Sequence, residues 1–197
     1  MWDLPYTPPM PPLLFQCDPD IRLAGSDIYL DPAEPRAVGI VSHGHADHIG
    51  HHQHFVATPP TASFLRARVS SALRGTELAY RHPHHLGSNV VRLFPAGHIL
   101  GSAMVHVSGE RGSLLYTGDF RLEPSLTAEP AEVPQADAVI MESTYGAGPE
   151  WTFPSRDTLR EQLTFSTPSP RCGQRGGSSE ARRGCFRRNR HGIALGC

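Results

Sequence analysis

The apolar and polar positions alternate over short distances, a pattern that reads as strands more than helices. Ala37-Val38-Gly39-Ile40-Val41 is an apolar run of the length of a buried strand. Two short runs around Gly25-Ser26, from Ile21 to Asp31, read as a hairpin. His54–Thr58, Asn89–Phe94 and Ala136–Met141 each add a strand, and Ala103–Ser108 pairs with Gly112–Tyr116 across Gly109-Glu110-Arg111-Gly112. Helical spacing first comes at about Ala62–Leu73. There Pro59 and Pro60 read as a break, Thr61 as the cap, and Phe64, Leu65 and Val69 as the buried side. A second helix start comes after Pro154, with Ser155 as its cap. His82, His84 and His85 around Pro83 read as a surface loop, His106 as a partly exposed strand residue, and the Pro-rich residues 5–12 as an extended leader. Many strands with few helices predict an α+β chain built as a sandwich.

The residues just past these strands change the picture. The run Ser42-His43-Gly44-His45-Ala46-Asp47-His48 places three imidazoles and one carboxylate within six positions, the donor set that zinc-like divalent metals prefer. His43 and His45 are two apart, so in extended chain they share a side and can grip one cation. Asp47 and His48 come after a turn and can face a second position. Gly44 and Ala46 are small enough to let the backbone approach. His98, Asp119 and Glu142 also sit just beyond predicted strands, so strands ending together would gather all of these groups on one sheet edge. A carboxylate at Asp119 can bridge two metals.

The series His43–His48, Ala96-Gly97-His98-Ile99-Leu100-Gly101-Ser102, Tyr116-Thr117-Gly118-Asp119-Phe120 and Met141-Glu142-Ser143-Thr144-Tyr145-Gly146 resembles the metallo-β-lactamase superfamily. Glu142-Ser143-Thr144-Tyr145-Gly146 resembles the first motif of its nucleic-acid-processing β-CASP branch. Met1-Trp2-Asp3-Leu4-Pro5 and Leu126-Thr127-Ala128-Glu129-Pro130 look most like the bacterial ligase-associated DNA exonucleases of that branch. The resemblance covers about residues 1–163. It implies an αββα sandwich of which the N-terminal half to two-thirds is present. His43, His45 and His98 would hold one metal, Asp47 and His48 a second, and Asp119 would bridge, while Glu142 would orient a ligand or the water network. Asp47, Asp119 and Glu142 would be the catalytic carboxylates. The implied cofactors are two divalent ions, Zn2+ with Mn2+ tolerated. They activate a bridging water for phosphodiester hydrolysis. Nucleic acid, DNA above RNA, is the implied substrate, and a DNA ligase or helicase an implied partner. The same site would also suit a thioesterase or lactonase, and the Glu142 motif argues against that. The family's later His, its further acidic motifs and its inserted domain find no match here, which predicts little activity for this chain by itself.

Charge and cysteine content divide the chain. Residues 1–165 hold 11 Arg against 18 Asp and Glu, whereas residues 166–197 hold 7 Arg against one Glu, and there is no Lys. An acidic body is not the basic surface expected of a nucleic-acid binder, although bound cations would offset part of it. Arg66 and Arg68 read first as solvated arginines and second as contacts to a nucleic-acid backbone. Cys172, Cys185, His191 and Cys197 lack the close pairing of common zinc sites, and Cys17 stands alone in the body. Residues 1–163 are therefore read as an incomplete metallo-β-lactamase-like domain. Residues 164–197 are read as a disordered or frame-shifted tail, with a basic nucleic-acid-binding tail as the alternative. No membrane-spanning run and no secretory segment are seen, so the expected location is the cytoplasm.

Overall fold

A computed structural model describes residues 14–17, 19–144, 154, 155 and 158. The leader, Tyr145-Gly146 and the whole of residues 164–197 with their cysteines and His191 lie outside the described residues. The chain divides into two compact units, Met1–Glu142 and Ser143–Cys197, and the first holds all the strands of the described residues. In the second, the Ser155 Oγ accepts a hydrogen bond from the Thr158 backbone N–H at 3.2 Å, the bond expected of a helix cap.

Two sheets carry the first unit. One has six strands in the order β1 (Phe15–Cys17), β2 (Ile21–Leu23), β3 (Ile28–Leu30), β4 (Val38–Ile40), β5 (His54–Ala57) and β6 (Gly75–Glu77). β1, β2 and β3 are antiparallel, with Ile21 opposite Leu30 in the expected hairpin, and β3 to β6 run parallel. The other sheet has β7 (His84–Leu86), β8 (Asn89–Pro95), β9 (Ala103–Gly109) and β10 (Gly112–Tyr116) as an antiparallel meander. β11 (Ala138–Ile140) is added parallel to β10. The two sheets face each other across one apolar core. Leu30, Ile40 and Val56 from the first meet Leu93, Val105 and Leu114 from the second, all at most 1% exposed. At roughly 25 cal/mol per Å2 of apolar surface removed from water, such side chains supply the main drive for stacking the sheets.

One helix, α1 (Pro59–Arg68), covers the outer face of the first sheet, with Ala62 and Leu65 packed on Val41, Phe55 and Ala57. Its start corrects the sequence reading. Pro59 and Pro60 open the helix instead of breaking the chain, because proline at the first helical positions loses no intrahelical bond. Thr58, not Thr61, is the cap, accepting from the Thr61 N–H at 3.4 Å. The helix also ends at Arg68, short of Leu73. A second correction concerns His84 and His85, which belong to edge strand β7 and not to a loop. An edge strand needs apolar contact on one side only, so a polar segment beside Pro83 hides it from pattern reading. The outer face of the second sheet, at Met104 and Leu115, is packed by Phe120, Ala131 and Ala136 from the long segment before β11.

Candidate metal centre

β3 and β4 run the same way in one sheet and β8, β10 and β11 in the other, and the distances between the residues that follow them place both sets of ends together. Beyond β4 lies the loop 42–50, beyond β8 the turn with His98, beyond β10 Asp119 and beyond β11 Glu142. The imidazole nitrogens converge. His43 Nε2 and His45 Nδ1 are 3.0 Å apart, and His98 Nε2 is 3.2 Å from His45 Nδ1. Asp119 Oδ2 stands 3.7 Å from His43 Nε2 and 3.5 Å from His98 Nε2. Donors at a zinc bond length of about 2.1 Å in a tetrahedron are spaced about 3.4 Å from one another. The four groups His43, His45, His98 and Asp119 thus have the spacing that one tetrahedral cation demands, with all donor atoms within 4.8 Å of each other.

The other oxygen of Asp119 faces the remaining candidates. Asp119 Oδ1 lies 3.5 Å from His48 Nε2, and Asp47 Oδ2 lies 3.8 Å from the same nitrogen. Asp47 is 80% exposed and stands at the mouth of the site. Asp119 therefore points one oxygen at the three-histidine cluster and one at His48, the arrangement a bridging carboxylate needs, whereas Asp47, expected from the sequence as a ligand, approaches only His48 Nε2 and joins neither metal-competent group among the described residues. Gly118 makes its turn possible. It has φ 52°, and a Cβ there would stand 2.6 Å from the Ser42 Oγ. Glu142 sits behind this turn: its Oε1 accepts from the Phe120 N–H at 3.4 Å and its own N–H donates to Thr117 Oγ1 at 3.3 Å.

Asp31 carries no chemistry in the sequence reading, yet it organises the loop. It follows β3 with φ 41°, a left-handed conformation that Asp tolerates better than most residues. Its carboxylate is 4% exposed. It accepts hydrogen bonds from the Ser42 N–H at 2.7 Å, the Ser42 hydroxyl, the Tyr116 hydroxyl at 2.9 Å and His48 Nδ1 at 2.8 Å. With its oxygens so occupied it is a poor direct ligand, although it lies with His43 and His48 in a second metal-competent group. It acts instead on the tautomers. His48 gives its Nδ1 proton to Asp31 and turns Nε2 toward Asp119. The Ser42 hydroxyl spends its one proton on Asp31, so toward His43 Nδ1, 3.0 Å away, it accepts. Both histidines are left presenting Nε2 to the cluster. The signal is present in the sequence, an acid directly after a strand, but it becomes meaningful only once β3 is known to run parallel beside β4.

Burial and neighbouring charge set the protonation. Burial, with the His48 charge behind it, pushes His43 down to about 3, so its imidazole is neutral and ligand-ready. Burial lowers His98 too, while it raises the Asp119 carboxyl, with Glu142 adding to the rise. Burial would also lower His48. The Asp31 hydrogen bond and the Asp31, Asp119 and Asp47 charges outweigh it and bring His48 up to about 9. Burial opposes ionisation of Asp31, but the His48 and Ser42 bonds hold it below the ordinary carboxylate range. Together these groups form a cation-shaped cluster with a proton standing at His48. His51, His54, His82, His84, His85 and His106 join none of the metal-competent groups among the described residues.

The sequence profile described as "Metallo-beta-lactamase superfamily" matches residues 17–162. The chain belongs to that superfamily. A protein of Opitutus terrae named "Probable DNA ligase" is 40% identical over 140 residues, which cover 70% of this chain and 14% of that protein. An "RNase J-like protein" of Methanocaldococcus jannaschii is 32% identical over 63% of this chain and 35% of its own length. "Ribonuclease TTHA0252" of Thermus thermophilus is 32% identical over 68% of this chain and 37% of its own length. The chain thus spans well under half the length of these relatives.

Proposed function

We propose that the chain carries the metal-binding part of a metal-dependent phosphodiester hydrolase that acts on nucleic acid. The observation that carries this reading is the placing of Asp119, one oxygen beside the His43–His45–His98 nitrogens and the other beside His48. His43, His45 and His98 would hold one cation and His48, with Asp47, a second, with Asp119 facing both positions. Zn2+ suits this donor set best, with Mn2+ tolerated. Bound as a pair, such ions supply a water of lowered pKa and a clamp on phosphoryl oxygens. The chain's own contribution is to aim the donors and to keep His43 neutral: Asp31 aims His48, whose proton a cation would have to displace, Ser42 aims His43, and Glu142 fixes the turn that bears Asp119.

The name of the Opitutus relative supports DNA as the substrate and work beside a ligase, and exonuclease action in DNA repair rests on the resemblance of Met1–Pro5 and Leu126–Pro130 alone. The two ribonuclease-named relatives favour RNA as a second reading. The test is incubation of the zinc- or manganese-loaded chain with DNA and RNA oligonucleotides, and with a thioester and a lactone. Slow, metal-dependent shortening of an oligonucleotide, lost in His45→Ala, is expected. Thioester or lactone turnover with the oligonucleotides left intact would overturn the reading.

A further inference from the structure

We propose that Arg68 is a phosphate contact of this site, holding a nucleic-acid phosphate that neighbours the one at the metal cluster. The inference deepens the reading of the site as a nucleic-acid phosphodiesterase and rests on it. Arg68 lies in the last turn of α1, and its guanidinium donates to the carbonyl oxygen of Gly44, the residue between His43 and His45. The same guanidinium stands 5.6 Å over the Phe64 ring. Phe64 in turn packs on Gly44, where a Cβ would come within 2.9 Å of Phe64 Cδ2. The cation is thereby held against the loop that bears the metal donors.

Among the described residues the rest of its donors have no hydrogen-bond partner. A guanidinium offers five N–H groups, and one is taken by Gly44. Arg68 is exposed. Five of the nine described arginines pair with a carboxylate, Arg66 with Glu77 among them, and Arg68 pairs with none among the described residues. In a body with more acidic residues than arginines, an uncompensated cation fixed beside a metal loop is suited to an anion from outside. Guanidinium matches phosphate through two parallel hydrogen bonds, and one already immobilised by ring and carbonyl loses little rotamer freedom on binding. The only anion that a phosphodiester strand brings to this place is its own neighbouring phosphate.

The experiment is fluorescence anisotropy of a short labelled single-stranded oligonucleotide, with the zinc-loaded chain, across a series of salt concentrations. Metal content is measured on each variant. For Arg68→Ala we expect affinity to fall about tenfold and the slope of log affinity against log salt to shrink by about 0.7, the value for one phosphate contact on a single strand. Arg68→Lys keeps the charge and restores the slope. Arg68→Ala binding with wild-type affinity and slope would overturn the role of Arg68 and leave the reading of the site standing. Loss of metal together with binding, not restored by lysine, would also overturn it, because Arg68 would then be a strut for Gly44. A zinc-loaded wild-type chain that does not bind the oligonucleotide would overturn the reading of the site, and this inference with it.

Discussion

Asp31 accepts four hydrogen bonds from Ser42, His48 and Tyr116, so its removal acts on the site and on stability together. For Asp31→Asn, elemental analysis is expected to show loss of the metal at His48 and Asp47 and retention of the one at His43, His45 and His98. Stability should drop by about 1–3 kcal/mol in urea, the usual cost of disrupting buried hydrogen bonding. Protonation supplies a second prediction at this scale, for the metal-free chain. His43 is lowered to about 3, so its contribution is complete above the unfolded value of about 6.5 and is lost as pH falls from there toward 3. His48 is raised to about 9, so its contribution is complete below about 6.5 and is lost as pH rises toward 9. Thermal melts in chelator should therefore peak near pH 6.5, and Asp31→Asn should flatten the alkaline limb. An unchanged alkaline limb in that variant would contradict the part given to Asp31. The same proton at His48 must leave before a metal binds there, so affinity for the second metal should rise with pH across this range.

At the scale of elements, α1 links the first sheet to the His98 turn. The hydroxyls of Thr58 and Thr61 both donate to the Gly101 carbonyl, at 2.6 Å and 3.0 Å, and the Tyr80 hydroxyl donates to the Ser102 carbonyl at 2.9 Å. Thr58→Ala removes the helix cap and one of these struts. It should cost about 1–2 kcal/mol in urea denaturation and weaken metal binding at His98, with no change in α1 content by circular dichroism. Gly39→Ala probes the other side of the loop. Its new Cβ would stand 2.5 Å from the ring of buried His52, and displacing that ring should cost about 1–3 kcal/mol. Eight of the eleven described strands are readable in the sequence because they lie in short runs with apolar residues closed by turn residues, whereas the three-residue β1 (Phe15–Cys17) and the polar β6 (Gly75–Glu77) go unread, and His43, His98, Asp119 and Glu142 stand out because each follows a readable strand. The start of α1 is ambiguous because proline marks both breaks and helix starts, and the hydroxyl that decides between them belongs to Thr58, before the prolines. β7 escapes the pattern because an edge strand can be polar. Asp31 escapes it because its importance lies in the parallel pairing of β3 with β4, which carries no local sequence signature.

For the molecule as a whole, the site is made where two sheets end together, so its donors come from distant parts of the sequence and assemble only when the sandwich forms. Folding and metal binding are then coupled, and a chelator should lower the melting temperature of the loaded chain. Among the described residues no helix is long and apolar enough to cross a membrane. The acidic balance of residues 1–165, which argues against a nucleic-acid partner, looks different once the carboxylates are placed. Asp31, Asp47, Asp119 and Glu142 gather at the site, where bound cations would offset them, and further acids are spent on Arg22, Arg36, Arg66, Arg81 and Arg121. The central claim is that this end of the sandwich is a two-metal centre bridged by Asp119. Elemental analysis of the purified chain tests it most directly, with His45→Ala and Asp119→Ala beside it. Close to two metals per chain is the expected result, with at least one lost in each variant. A folded wild-type chain without metal, or variants that keep the full complement, would contradict it.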